Sequence, residues 1–314
     1  MATIQGPMSP RSPRLVAPGE SMYDVLDDRD TRKVRAWYLD PRTNSESAVC
    51  VTTKEPVFHE KDFKGRIIHK ICDFQSKKDT RITLNDFLTE IKYTRLASRL
   101  SIAPRFYHAH VTKNEEMGVI NMELLDVDLK TILDKNIYRM RKHMKQRAWD
   151  NGEGTTLFFH VADLHRIHAM VYAMWKNGFM HMDMHSQNFM YRDNALERSD
   201  VNRNRTLYLI DFADISIVPD ASLETITHAI VHSLSKDVIY DFDHFREVLE
   251  QYVEWLRVHT IDEEERMRLE PLLVELEAFV AGVMMMNDED EDDAFERQLA
   301  YWTDVLSRDY FPTV

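Results

Sequence analysis

The residues best suited to chemistry lie in the stretch GFMHMDMHSQNFM at 178–190. His181, Asp183 and Asn188 stand there as H-x-D-x-x-x-x-N, between a long helical pattern and a short apolar run. Asp183 offers a carboxylate that can take a proton from a hydroxyl group. Asn188, five residues later, offers a carboxamide oxygen of the kind that binds a hard cation. A second carboxylate follows in LYLIDFA at 207–213, where an apolar strand pattern ends at Asp211. A base, a carboxamide and a carboxylate together can accept a proton and offer oxygen ligands to a hard cation.

These side chains need a frame. The element that delivers the chain into the loop is read as a helix over 156–177. Leu157, Val161, Leu164, His168, Val171 and Trp175 recur at three- and four-residue steps, and Gly178 provides the stop. His160, His165 and His168 scatter over more than one face of that helix and are read as packing or surface groups, not metal ligands. Residues 206–210 form the return strand that ends at Asp211.

Further upstream, 21–33 is polar and helix-compatible, and 34–39 and 48–53 read as two strands around a turn at 40–47. Residues 66–72 make another strand, with Lys70 among apolar neighbours. Thr83 and Asp86 resemble a capping box that opens a helix, whose apolar face is Leu84, Phe87, Leu88 and Ile91. Glu90 borders that face, twenty residues after Lys70. The helix stops before Pro104. Residues 117–125 read as a strand running into a connector, and 128–137 as a helix. The basic cluster at 138–147 is read as a solvated helix face. Helices are expected over 222–235, 241–253, 262–286 with an interruption at Pro271, and 293–307.

A chain of 314 residues can bury a sizeable core, in one two-lobed domain or two domains. No apolar run approaches the roughly 18 residues a membrane span needs, so no membrane partner is expected. Residues 1–20 are rich in Pro and Ser and are read as a flexible tail. Only Cys50 and Cys72 are present, which suits a reducing, intracellular and cytoplasmic setting. The net charge of −13 argues against a surface built to hold nucleic acid and suits basic acceptors.

Taken in order, Lys70, Glu90, Asp183, Asn188 and Asp211 resemble the polar positions of the protein-kinase-like superfamily, across roughly residues 34–252. The resemblance implies an α+β, bilobal fold: a small β-rich N-lobe with one main helix at 21–123, and a larger helical C-lobe with a helical extension at 124–314. It also implies ATP and Mg2+ as cofactors. Lys70 would hold the α- and β-phosphates and Glu90 would position it. Asp183 would act as base, and Asn188 and Asp211 would ligate magnesium. Ser45, Ser47 and Val49 fall where the phosphate cover belongs, and Glu123 and Leu124 where a connector meets adenine. Asp241 resembles the aspartate that braces the catalytic loop, with Asp243 second in line.

The sequence departs from the protein-kinase pattern in several places. No glycine lies in the 40–47 turn, Met182 stands where an arginine usually precedes the base, and Ala213 replaces a glycine. No Ala-Pro-Glu motif follows, and only thirty positions separate Asp211 from Asp241. With His185, the loop reads H-x-D-x-H-x-x-N, similar to haspin-type kinases and to choline and aminoglycoside phosphotransferases. Divergence of this kind also resembles Ser/Thr kinases of large DNA viruses, for which the compartment is the host cell. The leading expectation is an atypical Ser/Thr protein kinase with a basic protein substrate. The alternatives are a small-molecule phosphotransferase and a nucleotide-binding pseudokinase scaffold.

Overall fold

The structure, a computed structural model, describes residues 24–26, 47–52, 67–74, 83–112, 117–146, 157–192, 206–218, 222–234, 236–259, 262–284 and 291–308. The fold is α+β, and the chain divides into two units. One is Met1–Ser98 with Pro104–Leu124; the other is Arg99–Ala103 with Leu125–Val314. The division falls one residue after the expected boundary at 123. The short segment Arg99–Ala103 goes with the second unit, because Leu209 donates its N–H to the Ile102 carbonyl at 2.9 Å.

The first unit is a five-stranded sheet and one helix. Strands β1 (Asp24–Leu26), β2 (Ser47–Thr52), β3 (Ile67–Asp73), β4 (Phe106–Thr112) and β5 (Met117–Glu123) pair in the order β1-β4-β5-β3-β2. All pairs are antiparallel except β1–β4. Helix α1 (Leu84–Arg99) opens with the expected capping box. Asp86 donates its N–H to Thr83 Oγ1 at 3.2 Å, and Thr83 donates its own to the Asp86 carboxylate at 2.8 Å. Phe87 and Ile91 of α1 pack on Cys72, Phe74, Ala109, Val111, Ile120 and Met122. Each such side chain contributes about 1.5–3 kcal/mol by leaving water. Gly118 sets how near helix and sheet approach, since a Cβ there would stand 2.4 Å from the Phe87 ring.

Two readings of this unit are corrected. The stretch 21–33, taken as helix-compatible, contains the strand β1, whose backbone groups are satisfied by β4, about ninety residues away in sequence. Strand β4 itself was not anticipated; its histidines hide a strand whose Ala109 and Val111 face the core. The 34–39 strand, the 40–46 part of the turn and the 1–20 tail lie outside the described residues.

The second unit is mainly helical. Its small strands are β6 (Val127–Asp128), β7 (Phe179–His181), β8 (Phe189–Arg192), β9 (Thr206–Leu209) and β10 (Ile215–Ile217). They form an antiparallel sheet β6-β8-β9 and an antiparallel pair β7-β10. The helices are α2 (Leu129–Gln146), α3 (Val161–Lys176), α4 (Leu223–Ser233), α5 (Lys236–His259), α6 (Glu263–Val283) and α7 (Glu291–Ser307). Helix α5 buries Phe242, Phe245, Val248, Leu249, Tyr252 and Leu256, so it forms the centre of the unit. Among the described residues no helix is long and apolar enough to cross a membrane.

Helix boundaries moved for identifiable reasons. α2 continues through the basic stretch to Gln146, with Met140 and His143 buried on its inner side and Arg141 and Lys145 exposed. α3 starts at Val161, not at 156, because Leu157, Phe158 and Phe159 enter the core in non-helical backbone. There the Phe159 ring lies 5.6 Å from those of Phe242 and Phe245. The Asp163 carboxylate then accepts the His160 N–H at 2.9 Å and opens the helix. Gly178, at φ +74°, supplies the left-handed residue that ends it. His168 is a packing residue as expected: the Tyr301 hydroxyl meets its Nε2 at 2.7 Å, and burial pushes its pKa down to about 3. α6 is not interrupted at Pro271; the proline is exposed, where the carbonyl it leaves unbonded can turn to solvent.

Glu265 of α6 is buried, with its carboxylate near Arg268 and Tyr252. Arg268 Nη2 is 3.9 Å away, and the Tyr252 hydroxyl bonds His143 Nδ1 at 2.8 Å. Burial raises the Glu265 pKa to about 7. The folded chain therefore binds a proton that the unfolded chain has released, between the ordinary carboxylate pKa and about 7. Stability should fall as pH rises through that window. Glu265→Gln should flatten the fall and be the more stable form above it, by up to about 3 kcal/mol. Urea midpoints at about pH 5 and about pH 8 measure this; parallel wild-type and variant pH profiles would reject it.

Candidate functional site

In the first unit, strand alternation puts Lys70, Cys72 and Phe74 among the buried residues of the sheet. Lys70 stands in register between Val49 of β2 and Ile120 of β5. Glu90 follows Phe87 by three positions on α1, so it shares the buried face and does not merely border it. The two meet: Lys70 Nζ is 2.6 Å from Glu90 Oε1, with both residues buried. A buried ammonium is tolerated here because its counter-charge is held with it. Glu123 donates its N–H to the Arg105 carbonyl at 2.9 Å, and its carboxylate accepts the Arg105 N–H at 3.3 Å. Those groups are thus committed within the sheet, and Leu124 follows as the last residue of the unit. Ser45 lies outside the described residues, while Ser47 begins β2.

In the second unit, the loop from His181 to Asn188 is held by backbone and side-chain hydrogen bonds at several points. Met182 N–H bonds the Asp214 carbonyl and Met184 N–H the Ser233 carbonyl, each at 2.9 Å. His181 is fully buried, with Nε2 3.0 Å from the Ile210 carbonyl and Nδ1 accepting the Asp183 N–H at 3.1 Å. One ring nitrogen must donate and the other accept, which defines a neutral imidazole with its proton on Nε2. Burial lowers the His181 pKa, in keeping with that form. The Phe212 ring meets the imidazole edge-on at 5.1 Å.

Asp183 remains exposed, with its side chain 53% accessible and His185 Nε2 3.6 Å from its Oδ2. Asn188 turns its amide nitrogen to the Asp183 carbonyl at 2.9 Å, which orients its oxygen the other way. Ile210 donates its N–H to the Asn188 carbonyl at 2.9 Å, so the loop is tied to the residue just before Asp211. Asp211 is exposed and adopts φ +64°, a left-handed backbone that an aspartate tolerates better than most residues. Asp183, Asn188 and Asp211 are thus brought into one locality of one unit.

Two further residues were not foreseen. Asp241 accepts hydrogen bonds from Ser186 Oγ and from Lys130 Nζ, the latter at 2.6 Å, and Lys130 donates its own N–H to the Ser186 carbonyl at 3.3 Å. The hydrogen bond to Asp241 raises the Lys130 pKa. Asp241 therefore braces the loop, as expected of it, but through a lysine and a serine no motif singled out. Asp243 instead pairs with Arg246 of its own helix at 2.7 Å. Asp241→Ala would leave the buried Ser186 hydroxyl without its acceptor and release Lys130. Stability should fall by about 1–3 kcal/mol, and any turnover should fall through kcat more than KM. Chemical unfolding with steady-state kinetics checks this; unchanged kcat would remove the bracing role.

The donor set fits a magnesium ion in type. A carboxamide oxygen and a carboxylate are the hard ligands that Mg2+ prefers. Among the described residues no three His, Cys, Asp or Glu side chains form a metal-holding group. An ion here would therefore complete its shell with phosphate oxygens and water. No protein-family model matches the chain, and no curated protein matches it either.

Proposed function

We propose that the chain is an ATP-dependent phosphotransferase of bilobal protein-kinase-like architecture, and specifically an atypical Ser/Thr protein kinase. The observation that carries this reading is the braced loop, which leaves the Asp183 carboxylate exposed while His181, Met184, Ser186 and Asn188 around it are buried and bonded. On this reading Asp183 takes the proton of an acceptor hydroxyl as its oxygen attacks the γ-phosphorus. The bond from that phosphorus to the β,γ-bridging oxygen breaks, and ADP leaves with the electron pair. Lys70, oriented by Glu90, holds the α- and β-phosphates. On this reading the backbone of Glu123 and Leu124 would meet adenine, and Ser45, Ser47 and Val49 would be the phosphate-side residues. Asn188 and Asp211 would hold Mg2+, whose chemistry is to neutralise phosphate charge. The net charge of −13 supports a basic protein acceptor.

A second reading, a small-molecule phosphotransferase, is favoured by His185 beside Asp183 and by the short interval from Asp211 to Asp241. Radiolabelled ATP offered with basic proteins, and separately with aminoglycosides, choline and sugars, decides between them. Label on Ser or Thr of a protein is the expected result; label on small alcohols alone would replace the first reading with the second. Tight Mg·ATP binding with no transfer to any acceptor would make the chain a nucleotide-binding scaffold, consistent with its glycine-free 40–47 turn.

A further inference from the structure

A second set of ligand-type side chains lies in the first unit, on residues the phosphotransfer reading does not use. His108 and His110 are two positions apart on β4 and therefore share one face of the sheet. Asn121 of β5 stands directly across from His108. His108 Nε2 is 3.1 Å from His110 Nδ1, and the Asn121 amide is 3.4 Å from the same His108 nitrogen. His110 and Asn121 are each only 2% exposed, so these groups are gathered in a site largely shielded from water.

Two imidazoles bound to one tetrahedral ion, each through a bond of about 2.0–2.1 Å, bring their nitrogens to about 3.3 Å from each other. The His108–His110 separation is already close to that value. A half-turn of the Asn121 amide, which exchanges nitrogen and oxygen in place, would present a carboxamide oxygen beside them. We propose that His108, His110 and Asn121 bind a first-row transition-metal ion, with Zn2+ as the type case, and that the ion ties β4 to β5. Imidazole nitrogens select zinc, copper or nickel over magnesium, so this site differs in kind from the oxygen donors Asn188 and Asp211. Its role is structural: an ion held only by the folded sheet stabilises the unit by linkage.

The test is a Co2+ titration of the tag-free, full-length chain after chelator treatment and dialysis, read by visible absorption. One equivalent of Co2+ should give the d–d bands of a nitrogen- and oxygen-ligated tetrahedral ion, and Zn2+ should displace it. One equivalent of Zn2+ should raise the unfolding midpoint by several degrees. His108→Gln should weaken binding at least tenfold, whereas His244→Gln, in the other unit, should leave it unchanged. Saturating Mg·ATP should not alter the bands, so the result stands apart from the phosphotransfer reading. Absence of a stoichiometric band from the wild-type chain would overturn the site whatever the variants do. Bands unchanged in His108→Gln would overturn it equally, leaving His108, His110 and Asn121 as a hydrogen-bonded chain.

Discussion

Asp183→Asn is expected to lower phosphotransfer by about 10^2- to 10^4-fold while leaving the fold and Mg·ATP affinity close to wild type. The substitution removes the carboxylate proposed to accept the proton of the incoming hydroxyl and keeps its shape. It should disturb the loop little, because the shorter bonds the loop makes with Asp183 are to its backbone and the Asn188 contact with its Oδ2, at 3.5 Å, can be kept by an asparagine oxygen. The Asp183 N–H bonds His181, and its carbonyl accepts from Asn188. The side chain itself is exposed, so the change in stability should stay within about 0.5 kcal/mol. Single-turnover transfer and calorimetric nucleotide titration on the same preparation measure both halves. Transfer near the wild-type rate would remove Asp183 from the role of base. A wild-type chain that binds nucleotide without transferring phosphate would move the whole molecule to the scaffold reading.

Lys70→Met should do two separable things. It should abolish productive phosphate binding, and it should destabilise the first unit by about 3–5 kcal/mol, because Glu90 is left as a buried charge with its 2.6 Å partner gone. The double variant Lys70→Met/Glu90→Leu removes that stranded charge and offers apolar volume to Phe87 and Ile91. It should regain most of the lost stability. Phosphotransfer should stay absent in both. Urea unfolding and transfer assays across the single and double variants form the test. If activity returned together with stability, Lys70 would be a structural partner of Glu90 and nothing more.

The pair illustrates what local pattern can reach. Lys70 within an apolar strand and Glu90 within a capped amphipathic helix were legible one by one, and only the kinase-like resemblance implied that they meet, as they do. The capping box at Thr83, the Gly178 stop and the Ser222 helix start were legible because each is decided by bonds spanning three or four residues. Pro271 was misread for the same reason. Its local rule predicts a break, but burial of Leu269, Leu272 and Leu276 along the other side keeps α6 continuous.

By itself the sequence determined the mixed α+β character, the order of the strands and helices around the loop, and the residue types at 70, 90, 183, 188 and 211. Each of these follows from short-range periodicity and side-chain chemistry. Only the tertiary structure decided that Lys130 reaches Asp241 across 111 positions, that Ser186 reaches it across 55, and that β1 pairs with β4. Those partners are chosen by which surfaces must be buried together and which backbone groups still need hydrogen bonds, and neither requirement leaves a periodic mark along the chain.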